Sequence, residues 1–381
     1  MNFELTEEQI RIRDMVREFA KTELAPHAAK WDEEQHFPLE VMKKLGELGL
    51  LGVLWEERWN GAGLKYVDYA TVIEELAAVD PAIALAVAAH NSLCSGHISL
   101  FATEAQKEKW LKKLATGEWI GAWGLTEAEA GSDSSGTKTT AVLDGNEWVL
   151  NGSKNFITNA SVGDVAVLMA VTDKAKRKHG ISAFIVPLKD QKGIHVGKKE
   201  NKLGMRASDT ATLVMEDCRV PRENLLGAEG EGFIGAMKVL DGGRISIAAL
   251  SVGLARGAYE TARAYAKQRR QFGRPIAEFQ AIQFYLADMA TEIDAARLLT
   301  WRAAAMKDAG TVTTTESAMA KLYASEIAVK AADRGLQIHG GYGFIKDFKA
   351  ERYFRDVKLC TIGEGTSEIQ RLVIAKRLLE L

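Results

Sequence analysis

Up to about Gly117, apolar residues recur along the chain at helical spacing. Ile12, Met15, Val16 and Phe19 form one such face, and Thr6 with Gln9 ahead of it has the form of a capping box. PLEVMKKLGELGLLG and YVDYATVIEELAAVD repeat the pattern, each closed by glycine or by Asp-Pro. From Trp119 to about Gly227 the texture changes. EWVLNG, DVAVLMAVT, GISAFIVPL and TATLVMED are short β-branched or aromatic runs separated by Asp-Gly, Asn-Gly and Lys-Gly turn signals. From Gly232 long helical patterns return, with Ile282, Leu286, Met289 and Ile293 as one apolar stripe. This order predicts an α+β multidomain protein: an all-α domain over residues 1–118, a middle β domain over 119–228 and a helical bundle over 229–381. No internal repeat or low-complexity linker interrupts it.

A chain of 381 residues exceeds one ordinary core, in keeping with several domains. With 47% hydrophobic and 26% charged residues, the composition is that of a soluble globular protein. A net charge of −2 argues against a nucleic-acid surface or a basic membrane patch. Cys94, Cys218 and Cys360 lie far apart without metal-ligand spacing, so no metal is expected, and they suit a reducing compartment. The acidic, amphipathic start is unlike a secretory signal or transit peptide, and the longest apolar run, AIALAVAA, is too short for a membrane span. A cytoplasmic location is expected.

A G-x-G-x-x-G pattern occurs at Gly230, Gly232 and Gly235, but no apolar strand precedes it. Glu229 and Glu231 flank it, which is electrostatically wrong for a pyrophosphate. There is no P-loop, H-E-x-x-H or nucleophile elbow, and His339 reads as a helix-terminus residue rather than a ligand. Four stretches stand out. WGLTEAEAGSDSSG (123–136) joins aromatic, hydroxyl and small residues after a strand-like run, which fits either a serine-rich surface loop or a backbone cradle. RRQFGRPIAEFQ (269–280) is a basic aromatic loop, suited to a pyrophosphate or simply to a solvated helix end. QIHGGYGFIKDFKAERYFRD (337–356) breaks a helix at Gly340 and Gly341, for a ligand or as a C-cap. CTIGEGTSEIQR (360–371) sets one carboxylate, Glu364, between two glycines; an exposed turn is the plain reading.

In their order and combination these stretches resemble the acyl-CoA dehydrogenases over essentially the whole chain, most closely the short-chain (butyryl-CoA) type. GLTEAEAGSDSSG and QIHGGYGFIKDFKAERYFRD look like the family's two signatures, and IGEGTSEIQRLVIA like the segment bearing its catalytic base. The resemblance implies an N-terminal helical domain, a middle β-barrel-like domain and a C-terminal four-helix bundle, assembled as a homotetramer with FAD. It implies that Trp123, Leu125, Thr126, Gly131 and Ser132 line the flavin, with Phe156 and Thr158 covering its other side; the family often has Trp where Phe156 stands. From a neighbouring subunit, Arg269, Phe272 and Gln280 would meet the pyrophosphate and adenine end with Gln337, Gly340 and Gly341, while Thr366 and Glu368 close over the cofactor. Ser132, Asp241, Gly242, Gly243, Arg244 and Gly365 would contact acyl-CoA.

The implied reaction is α,β-dehydrogenation of an acyl-CoA to the trans-2-enoyl-CoA, with Glu364 taking the α-proton and flavin N5 the β-hydride. Electrons would pass to electron-transfer flavoprotein. Glycines beside Glu364 let its backbone approach the thioester oxygen, and a dry pocket would raise its pKa towards working pH. One branch of the family carries its base just before the Arg matching Arg244; here Gly243 stands there and cannot act. Residues 78–96 hold no Lys or Arg, so a dicarboxyl (glutaryl) substrate would meet no cation there. Two departures concern the acyl group. Gly363 replaces a frequent Tyr and leaves room for a branched or bulkier chain, and WNGAG (59–63) replaces the usual Tyr-Gly-Gly loop. The alternatives are a branched or medium-chain substrate, an acyl-CoA oxidase using oxygen, or a non-enzymatic flavin-binding relative. Many oxidases carry an extra C-terminal helical domain, so a length of 381 residues argues against an oxidase, and an intact Glu364 opposes the last reading.

Overall fold

In the computed structural model, which describes residues 4–380, Thr6 caps the first helix as its spacing from Gln9 predicts. Its hydroxyl accepts from the Gln9 N–H, and the Gln9 side chain accepts in return from the Thr6 N–H. That helix, α1 (Glu7–Phe19), is followed by α2 (Leu39–Glu47), α3 (Tyr66–Ala77) and α4 (Pro81–Ala88). Asp80 caps α4 by accepting from the N–H groups of Ala82 and Ile83, and Pro81 takes the first helical position. Past Ala88 the helix continues through a π-helical stretch, Ala89–Ser95, to Phe101. The span Pro81–Phe101 is long and apolar enough to cross a membrane by length and composition alone. Its most apolar window is 89% buried inside the protein, so it is a core helix.

Eight strands follow: β1 (Gly121–Gly124), β2 (Thr140–Asp144), β3 (Glu147–Thr158), β4 (Val165–Val171), β5 (Ile181–Pro187), β6 (Ile194–Lys199), β7 (Thr210–Pro221) and β8 (Leu225–Leu226). They pair in the order β6-β7-β3-β2-β4-β5-β8, and β1 runs parallel to β4 off this path. In β4 every residue is apolar because both faces are covered. Val165, Val167 and Met169 join a core shared with the helices, while Ala166, Leu168 and Ala170 join the sheet's own core.

The chain then forms α5 (Gly232–Gln268), α6 (Gln280–Asp308), α7 (Thr314–His339), α8 (Ala350–Asp356) and α9 (Ser367–Leu378). α5, α6, α7 and α9 make the four-helix bundle, with Met289 and Ile293 of the expected stripe buried. The G-x-G-x-x-G glycines serve packing. A Cβ on Gly232 would lie 2.3 Å from the Ser182 carbonyl carbon, so only glycine lets α5 start against β5.

Arg355 ties the three parts of the chain together. It donates to Asp32 in the short N-terminal helix Ala28–Glu34 (2.7 and 3.1 Å), to the Leu203 carbonyl (3.2 Å) and to Glu351 on its own helix. Replacing it leaves the largely buried Asp32 carboxylate without this partner, so Arg355→Ala should destabilise the protein by about 3 kcal/mol in urea unfolding.

Candidate active site

Glu364 lies in the turn between the 3₁₀ stretch Val357–Thr361 and α9. It adopts φ +54°, which is costly for a residue with a side chain, and Gly365 follows at φ +92°. The second glycine is required twice over, because a Cβ there would also lie 2.7 Å from Gln370 Nε2. Gly363 differs: a Cβ would make only ordinary contacts with Leu359, so nothing in the protein demands glycine there.

The turn sends the Glu364 carboxylate inward, where Oε2 is buried and accepts no hydrogen bond among the described residues. It rests against Gly243, in the middle of α5. A Cβ at 243 would come within 2.0 Å of Oε2 and 3.0 Å of Leu93 Cδ2. The carboxylate thus fills the space that a side chain at 243 would need. Burial pushes Glu364 up from its ordinary 4.5 to about 7, with Lys321 and Arg244 pulling it back.

Arg244, one residue after Gly243, is buried. Its Nη1 donates to Asp241 Oδ1 at 2.9 Å, and Thr314 Oγ1 donates to Asp241 Oδ2 at 2.7 Å, which fixes both residues on the helix. Arg244 Nε is buried and unpartnered. A buried cation donor and a buried carboxylate oxygen, both without partners among the described residues and near enough to interact, suit a polar ligand.

Trp123, assigned to the flavin, meets the same Pro81–Phe101 helix that packs against Gly243. Its Leu93 meets Gly243, and about one turn on, His97 Nδ1 accepts from Trp123 Nε1 at 3.1 Å. Burial lowers the His97 pKa to about 3, which keeps the ring neutral and able to accept. Asn155 N donates to Thr126 O (2.9 Å), bringing the loop after β1 beside Phe156 and Thr158. Phe156 has φ +59° and is 64% exposed, while Gly131 and Ser132 are open to solvent.

Arg269, Gly340 and Gly341 meet at a cavity of about 470 Å³, walled also by Tyr265 and Tyr342. Gly340 is indeed the C-cap of α7 (φ +60°), and a Cβ on either glycine would touch nothing, so open space lies over their backbone. His339 ends α7, bonds Gly335 O and stacks on Tyr265. Phe272, 93% exposed, projects from the nearby loop, and Gln280 and Gln337 are exposed. Thr366 and Glu368 take local roles: the Thr366 hydroxyl caps α9 and Glu368 occupies its first turn.

Three family models match in succession: Acyl-CoA dehydrogenase, N-terminal domain (6–118), middle domain (122–218) and C-terminal domain (230–379). The chain belongs to the acyl-CoA dehydrogenase family. It is 49% identical to the short-chain specific acyl-CoA dehydrogenase of Clostridium acetobutylicum, over 99% of this chain and 100% of that one. Its fold matches butyryl-CoA dehydrogenase from Megasphaera elsdenii with TM-score 0.98 at 42% identity, each chain fully covered. A chain in a structure described as the electron transferring flavoprotein of Acidaminococcus fermentans matches at TM-score 0.99 and 47% identity, again over both whole chains. The protein is therefore an oxidoreductase.

Several residues of this acyl-CoA dehydrogenase escaped sequence reasoning. Lys321 Nζ donates to Gly365 O (2.7 Å), and Gln370 Nε2 donates to the carbonyls of Glu364 (3.2 Å) and Gly365 (2.9 Å). Ser246 donates to Gly243 O and pairs with Ser92, pinning the glycine to the helix that bears Leu93. The buried pair Lys154–Glu127 braces the loop after β1, with Lys154 Nζ also reaching Leu125 O (3.3 Å). The signal for Lys321 was a lone cation at an inward position of a helical pattern; Ser92 and Ser246 carry none.

Proposed function

We propose that this enzyme oxidises a saturated short-chain acyl-CoA to the trans-2-enoyl-CoA, with Glu364 as the base. The observation that carries the reading is Glu364 Oε2, buried against Gly243 and without a partner among the described residues, on a carboxyl raised to about 7 near Arg244. A carboxyl in that range is about half ionised at neutral pH and basic enough to take a weakly acidic α-proton. Glu364 Oε2 would receive that proton, while its own backbone N–H, presented by the positive-φ turn, would face the thioester oxygen as negative charge develops. Leu93 and Tyr69, buried around the carboxylate, keep water away from it.

FAD fits the residues present. The cavity at Gly340 and Gly341 offers bare backbone, the Arg269 cation and two tyrosines, chemistry suited to a pyrophosphate and an aromatic base. Trp123, Leu125, Thr126, Phe156 and Thr158 would hold the ring system. When bound, FAD supplies the acceptor for the β-hydride. The exposure of Phe272 (93%) and Phe344 (83%) near that cavity supports cover by a second copy, in line with a homotetramer. Similarity to a chain solved in work on an electron transferring flavoprotein supports such a protein as acceptor. Gly363, beside the base without any packing demand, favours acceptance of a branched acyl group as well.

Anaerobic mixing of purified protein with straight and branched acyl-CoAs tests this reading. Butyryl-CoA should bleach the flavin absorbance, and air should reoxidise the enzyme slowly with little peroxide. A colourless protein, or a flavin that butyryl-CoA leaves unbleached, would refute the assignment; rapid peroxide production would make it an oxidase.

A further inference from the structure

Lys321 lies in the second turn of α7 with 0% of its surface exposed. A buried ammonium loses its hydration, and it is normally compensated by a carboxylate in contact. Among the described residues no carboxylate stands within ion-pair distance of Lys321. Its Nζ instead donates to Gly365 O at 2.7 Å, on the residue that follows Glu364. Four titratable or charged groups face it: Cys360, Glu364, Arg244 and Glu368. Two consecutive left-handed residues form the turn it holds, and for Glu364, which carries a side chain, that conformation is one a free chain disfavours.

We propose that Lys321 is a positioning residue for the reaction: its ammonium clamps the Gly365 carbonyl, holds the strained Glu364–Gly365 turn, and favours the ionised form of the Glu364 carboxylate. The inference rests on reading Glu364 as the base. Gln370 shares the mechanical part, because Nε2 binds the same carbonyl, but it brings no charge. Lys321 joins the two tasks. Burial pushes its own pKa down to about 8, against the pull of Cys360 and Glu364, so the ammonium is present at neutral pH. Removing the charge deletes the larger of the two attractions that hold Glu364 down, so the carboxylate stays protonated to higher pH.

The test is the pH dependence of flavin reduction by butyryl-CoA, read by stopped flow on FAD-loaded enzyme. Lys321→Gln, which can still donate to Gly365 O, should move the acid limb up by about one pH unit, so that the rate at pH 7 falls about fivefold and recovers towards pH 9. Lys321→Met, lacking the hydrogen bond as well, should be slower across the whole range. Lys321→Arg should return the limb towards its wild-type position. A second readout needs no turnover. In substrate-free protein the infrared carboxyl band that Glu364→Gln removes should titrate about one unit higher in Lys321→Gln. A lowered melting temperature with both titrations unmoved would leave Lys321 a structural residue and overturn the proposal. Should Lys321→Met fail to fold, Lys321→Gln decides alone. Should Glu364→Gln itself reduce normally, the reading of Glu364 falls first, a distinct result.

Discussion

Glu364→Gln will bind FAD and acyl-CoA and yet reduce the flavin about 10³- to 10⁵-fold more slowly, because the amide cannot accept the α-proton. The same substitution should stabilise the protein. In the folded chain the carboxylate titrates near 7 against an ordinary 4.5, so an ionised Glu364 opposes folding. The raised pKa belongs to an acid, so the cost is absent below about pH 4.5, grows as pH rises from there to 7, and is complete above. A shift of this size corresponds to about 3 kcal/mol. Glu364→Gln should therefore raise the unfolding free energy by about that much at pH 8 and by almost nothing near pH 4.5. Calorimetry at the two pH values separates this from a general effect on packing.

Gly243→Ala should separate activity from stability in a different way. The new methyl would sit 2.0 Å from Glu364 Oε2, and the atom it meets is the mobile end of a side chain. The fold can yield there, and within a helix alanine is about 1 kcal/mol better than glycine. The melting temperature should stay or rise slightly. The carboxylate, however, must leave its seat, and a displacement of about 1 Å is enough for a hundredfold loss. Flavin reduction measured by stopped flow should fall about 100-fold. This glycine pair inside a 37-residue helix, weak by propensity, makes sense only through what it faces.

The three-part architecture was legible because each part has its own period. Helical faces in α1 and α6 and the apolar runs of β4 and β5 reflect burial directly. β2 and β6 were not read, since most of their residues are exposed and carry no apolar alternation. The helix Pro81–Phe101 was read only as a short apolar run. Its middle carries His90, Asn91, Ser92 and Cys94, buried residues of which His90 and Asn91 find partners in distant parts of the chain. His90 bonds the carbonyls of Leu51 and Leu114, and Asn91 that of Leu50. At the site, Glu364 was visible from its glycines and its resemblance. The groups that hold it were not, because Lys321 lies 43 positions away and no local pattern joins it to the turn (364 − 321 = 43).

A crystal structure with butyryl-CoA and FAD bound would test the assignment of the base most directly. The account predicts a Glu364 carboxylate oxygen about 3–3.5 Å from the α-carbon of the acyl chain, with the Glu364 N–H pointing at the thioester oxygen. A complex in which another ionisable group, and not Glu364, approaches that carbon would contradict it.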